Sequence, residues 1–94
     1  EIWYGFYTMQ FEFGAKKSTS NKTKHGIDFN EAQALWDDPD FVEIPARTQD
    51  EPRSIVVGLI ADKHWSGVIT YRGEFTRIIS FRRAREEEVE IYEG

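Results

Sequence analysis

The 94-residue chain contains no cysteine, which excludes a disulfide scaffold, a thiolate nucleophile and any zinc site built on thiolates. It has no long apolar run either. The longest, Ile55 to Ala61, is interrupted by Gly58 and falls far short of a bilayer span. No stretch combines a basic start, an apolar segment and a small-residue cleavage site, so the expectation is a cytoplasmic protein without a membrane partner. What is present is 39% hydrophobic, 31% charged and 15% aromatic, a balance that folds rather than staying disordered. A single domain over residues 1–94 is expected, with a core modest enough to be marginal alone.

The net charge of −5 argues at first against a nucleic-acid ligand. Its distribution reverses that argument. Residues 1–28 sum to +1, 29–62 to −6, 63–85 to +5 and 86–94 to −5, and the basic block holds five of the seven arginines. Arginine's planar fork takes phosphate or carboxylate bidentately, so Arg72, Arg77, Arg82 and Arg83 form a candidate anion site. Solvated strand-edge charges paired with nearby glutamates explain the block as well.

Along the chain, Ile2 to Phe13 is rich in aromatics and reads as a first strand. The alternation of apolar and polar residues from Met9 to Phe13 makes a natural beginning, which leaves residues 1–8 as an extension. Its Trp3, Tyr4, Phe6 and Tyr7 favour self-association if they stay outside the sheet. Residues 15–24 are polar and read as a short helix with exposed lysines, ended by Gly26. Asp28 and Glu31 match a capping box before a helix over 29–37, whose Phe29, Ala32, Leu35 and Trp36 share one face and which Pro39 terminates. Strands follow over Phe41 to Ala46, Arg53 to Ile60, Trp65 to Tyr71 and Phe75 to Phe81, with a tight connection at Asp62 and Lys63 and a glycine turn at Gly73. From Arg82 onward the pattern turns helical, with Ala84, Glu88 and Tyr92 four apart. The expectation is an α+β domain: an antiparallel sheet with two N-terminal helices and one C-terminal helix, the helices against one face.

Two separated signatures carry a family resemblance. Phe13, Gly14, Ala15, Lys16 and Lys17, then Asn21, then the run Lys24, His25, Gly26, Ile27, Asp28, Phe29 form the first. The second is Arg77, Ile78, Ile79, Ser80, Phe81, Arg82, Arg83, Ala84, supported by Arg53, Gly58, Tyr71, Arg72, Glu88 and Tyr92. Together they resemble the BrnT toxins of bacterial toxin–antitoxin modules over about Met9 to Glu93. The family usually has Asp-Pro where this chain has Gly14 and Ala15, which loosens the entry to the first helix. The resemblance implies a RelE-like fold, growth arrest through ribonuclease activity without a metal or other cofactor, and a BrnA-type ribbon-helix-helix antitoxin through which the complex reaches operator DNA.

Such a ribonuclease helps an RNA 2′-hydroxyl attack the adjacent phosphate. It needs a proton acceptor, cations for the developing charge and a donor for the leaving 5′-oxygen. Arg77 and Arg82 are the candidates for the phosphate. Five residues apart, they face opposite sides of a regular strand and converge only if that strand ends or turns near Ser80. His25 is the candidate acid–base group, with Lys24 beside it in the first signature as a second catalytic candidate that assists it; as a helix-end residue His25 serves equally to cap carbonyls. His64, at a turn, is the weaker candidate. Tyr71 stacks on a base or packs in the core, and Lys17, Lys16 and Lys24 hold RNA backbone or merely solvate a helix. Neither histidine nor the scattered carboxylates have metal-ligand spacing. A second reading stays open: a non-catalytic module whose activity is binding a small DNA-binding antitoxin.

Overall fold

Two tight turns build most of the sheet. In the computed structural model, which describes residues 10–46 and 52–94, β3 (Arg53–Ile60) returns as β4 (Lys63–Arg72) through Ala61 and Asp62, both with positive φ. That is the twist a two-residue hairpin loop requires. β4 returns as β5 (Phe75–Arg83) through Gly73 at φ 57° and Glu74. β2 (Val42–Ala46) adds antiparallel to β3. β1 (Gln10–Glu12) closes the other edge, giving the order β1-β5-β4-β3-β2. The aromatic residues of the expected extension lie outside the described residues.

The sheet is mixed where an antiparallel one was expected. β1 runs parallel to β5, pairing Gln10 with Phe75 and Glu12 with Arg77. Alternation identifies a strand but not its direction against a partner more than sixty residues away. β1 covers only the first third of β5, and α1 (Ala15–His25) lies along the remaining edge. Asn21 ties the two together: its amide NH₂ donates to the Ile27 carbonyl at 2.8 Å and its oxygen accepts from the Phe81 amide at 3.2 Å. Ser18 Oγ, buried beside it, accepts from the Phe29 amide at 2.9 Å. The polar helix is thus anchored by polar groups, since it has almost nothing apolar to bury.

Gly26 ends α1 in the left-handed conformation, with φ 84°. The capping box then forms in full, Glu31 N–H to Asp28 Oδ1 at 2.7 Å and Asp28 N–H to Glu31 Oε1 at 2.9 Å, and starts α2 (Phe29–Ala32). The expected helix tightens after one turn into a 3₁₀ segment over Gln33–Asp37. Its intended apolar face still reaches the core: Phe29, Ala32 and Leu35 are buried against Val56, Ile69, Ile78 and Phe81, with Trp36 partly buried at the margin.

The last helix, α3 (Glu86–Glu93), begins later than the pattern suggested, because Arg82 and Arg83 stay in the ladder opposite Ser66 and Trp65. It also lies on the other face. Paired residues share a face, so Phe81, Gly67 and Val56 point at α2, whereas Arg82, Ser66 and Val57 point away from it. α3 packs on β3 from that second side, and Glu88 meets Arg82 there.

Candidate functional site

β5 contains one residue too many for its partner. The register steps from Val68 opposite Ser80 to Ile69 opposite Ile78, leaving Ile79 as a bulge. The extra residue converts the odd spacing of Arg77 and Arg82 into an effectively even one. Both side chains, with Ser80 between them, therefore stand on the face away from α2, while Ile78 and Phe81 both stay in the core. The strand does not end near Ser80; the bulge alone puts the two arginines on one face.

Beside the bulge, α1 and β5 enclose a cleft of about 270 Å³ lined by Lys17, Ser20, Asn21, Lys24, His25, Ile79 and Ser80. Lys17, Lys24 and His25 are exposed at its rim, and the His25 imidazole has no hydrogen-bond partner among the described residues. Ser80 belongs both to this cleft and to the arginine face, and so joins the two halves of the site.

The arginines differ in how far they are already engaged. Arg82 is held by both carboxylate oxygens of Glu88, NH1 to Oε1 at 2.9 Å and NH2 to Oε2 at 2.8 Å, with a further NH1 contact to the Arg83 carbonyl. Hydrogen bonding from Arg82 holds the Glu88 carboxyl below its ordinary 4.5, against the opposing effect of burial, and the same bond raises Arg82. Arg77 is freer. Its NH1 donates to Glu12 Oε2 at 3.2 Å, and Arg72 NH1 reaches the same oxygen at 3.5 Å.

Tyr71 and Arg83 stand on the opposite face. The Tyr71 hydroxyl donates to both oxygens of Glu43, at 2.8 and 2.9 Å; desolvation and that carboxylate push the phenol up to about 12, so it stays protonated at neutral pH. Arg83 lies 5.6 Å over the Trp65 ring and donates from Nε to the His64 carbonyl. His64 is itself occupied, with Nε2 2.8 Å from Glu93 Oε2 and its ring edge-on to Tyr92. Among the described residues, no three His, Asp or Glu side chains gather as a metal's ligand set.

Glu12 is the residue that the sequence reading passed over. Strand alternation puts it on a polar face, but its position between Arg72 and Arg77 exists only through the parallel pairing of β1 with β5.

The chain matches no curated protein. Residues 13–88 match a family described as the ribonuclease toxin, BrnT, of type II toxin–antitoxin systems. That span holds both signatures, the bulge and the cleft beside it. The chain therefore belongs to the BrnT family of ribonuclease toxins.

Proposed function

We propose that this protein is a metal-independent endoribonuclease with a RelE-like fold, in which Arg77 holds the scissile phosphate beside the bulge and Lys24 and His25 act from the adjoining cleft. The observation that carries it is the bulge at Ile79, which gives Arg77, Ser80 and Arg82 one face and sets Ser80 at the mouth of the Lys17, Lys24 and His25 cleft. Arg77 offers fixed donors to the charge that builds on the phosphate as the 2′-hydroxyl attacks. His25 gives a proton to the leaving 5′-oxygen, and Lys17 and Lys24 hold the RNA backbone on either side. Arg72 extends the cationic surface beyond Arg77. Arg82, clamped by Glu88, adds positive potential and keeps the end of β5 in place. Arg83 and Tyr71 lie across the sheet and meet RNA only where it wraps the edge.

The partner in this reading is a BrnA-type ribbon-helix-helix antitoxin, which covers the basic face and links the complex to operator DNA. Glu88 on Arg82 shows how a carboxylate occupies that face, and so favours an acidic antitoxin segment as the neutralising element.

Incubating the purified protein with RNA tests the site. Arg77→Ala is expected to lower the cleavage rate about 10²–10³-fold, the usual loss for removing one preorganised donor to a developing anion. Folding should persist. Undiminished cleavage by Arg77→Ala combined with Arg82→Lys overturns the assignment, and co-purification of antitoxin with no RNA cleavage at all favours a module that only binds.

A further inference from the structure

The reaction requires a proton acceptor for the 2′-hydroxyl, and most carboxylates near the basic face already hold partners. Glu88 is 8% exposed; its Oε1 takes Arg82 and the Arg85 amide, and its Oε2 takes Arg82. Glu43 serves Tyr71 on the far face, and Glu93 serves His64. Glu12 differs in each respect. It projects from β1 onto the same face as Arg77, directly opposite it in register, with a side chain 29% exposed. Both of its arginine contacts fall on Oε2, and Oε1 has no hydrogen-bond partner among the described residues. Each arginine spends only NH1 on Glu12, which leaves Nε and NH2 of Arg72 and Arg77 to a ligand.

We infer that Glu12 is the general base of the cleavage reaction, placed by Arg72 and Arg77 through Oε2 so that Oε1 meets the 2′-hydroxyl of the nucleotide whose phosphate those arginines hold. The inference rests on the proposed phosphate site at Arg77. Oε1 takes the 2′-hydroxyl proton, and the 2′-oxygen forms a bond to phosphorus. The bond from phosphorus to the 5′-oxygen breaks, and that oxygen leaves with the proton supplied by His25. The products are a 2′,3′-cyclic phosphate and a 5′-hydroxyl end. The two arginines orient the carboxylate through Oε2 while their remaining donors meet the phosphate.

The experiment is single-turnover cleavage of a short RNA by the full chain, for wild type, Glu12→Gln, Glu12→Asp and Arg77→Ala. The pH is varied between about 4 and 8, a range in which a carboxylate base gives an acid limb. Binding to the same RNA made uncleavable by 2′-O-methylation, and thermal unfolding, are measured alongside. Glu12→Gln is expected to lose about 10²–10⁴ in rate and to lose the acid limb, with RNA affinity and unfolding temperature close to wild type. Glu12→Asp should recover part of the rate and the limb.

Wild-type rate in Glu12→Gln overturns the inference. So does a slowed variant that keeps the acid limb, or one whose loss is matched by weaker RNA binding or by lower stability, since those mark a pair that only holds β1 to β5. Arg77→Ala judges the phosphate site separately: a crippled Arg77→Ala beside an active Glu12→Gln removes the base and leaves the site, and undiminished Arg77→Ala removes the site.

Discussion

Arg82 and Glu88 meet oxygen for nitrogen, at 2.9 and 2.8 Å, and through that pair the last strand is fastened to the last helix on the face of the sheet away from α2. Glu88 also accepts the Arg85 amide at 2.8 Å, so one carboxylate both starts α3 and docks it. At the helix's other end, Tyr92 donates to Asp38 Oδ2 at 2.7 Å, which also accepts the Leu59 amide beyond the end of β2.

This fastening makes stability acid-sensitive. Arg82 holds Glu88 below its ordinary 4.5. At Asp38, desolvation raises the carboxyl, but the bonds from Tyr92, Asp40 and Leu59 together outweigh it and leave it below 3.8. A carboxyl depressed in the folded state takes up its proton more readily when unfolded, so its contribution is complete above the ordinary value and drains as pH falls through the folded one. Urea unfolding midpoints should therefore hold steady, as far as these two groups are concerned, from neutrality to about pH 4.5 and then decline. Glu88→Ala is expected to cost about 2 kcal/mol at neutral pH and to flatten that decline, because it leaves Arg82 without its carboxylate.

Asn21 holds the cleft wall in place. Asn21→Ala strips partners from the Phe81 amide and the Ile27 carbonyl, both buried, and is expected to cost about 2–3 kcal/mol. Amide exchange at Phe81 should accelerate well beyond that at Ile69 in the sheet interior. Equal acceleration at both positions would mean that Asn21 serves global stability and not the seating of α1 on β5.

Gly67 is required by its cross-strand neighbour. A Cβ there would run into the ring of Phe81, which is fully buried. Gly67→Ala should destabilise the fold by about 1–3 kcal/mol, the usual cost of overpacking. The Phe81→Leu background should absorb part of that cost, so a double-mutant cycle from thermal unfolding is expected to be non-additive.

Phosphate contacts at the bulge predict a salt signature. For an uncleavable single-stranded RNA, the slope of log affinity against log salt should shrink by about 0.7 for each phosphate-binding charge removed. Fluorescence anisotropy over a salt series is expected to show that change for Arg77→Ala and for Lys24→Ala. An unchanged slope for Arg77→Ala would put the phosphate elsewhere on the surface.

The elements themselves were legible wherever their cause is local. The Asp28 and Glu31 box, the Gly26 stop, the strand from Arg53 to Ile60 and the Gly73 turn each depend on residues a few positions apart, and each forms where the pattern puts it. The family signatures were legible for the same reason, as short runs of specified residues. The helix expected from Arg82 was not, since a basic strand end followed by glutamates carries no periodicity that marks where the ladder stops; pairing with Ser66 and Trp65 decides it.

By itself, then, the sequence determined most of the strands, the cap and turn positions, the apolar face carried by Phe29, Ala32 and Leu35, where positive charge accumulates and which family the chain resembles. Tertiary structure alone decided the direction of β1 against β5, the face that α3 covers, the bulge that brings Arg77 and Arg82 to one side, and the place of Glu12 between Arg72 and Arg77. The physical reason is range. Turns, caps and alternation are settled by energies between near neighbours, whereas strand direction and register emerge only when contacts as remote as Glu12 and Arg77, 65 residues apart, close together with the core.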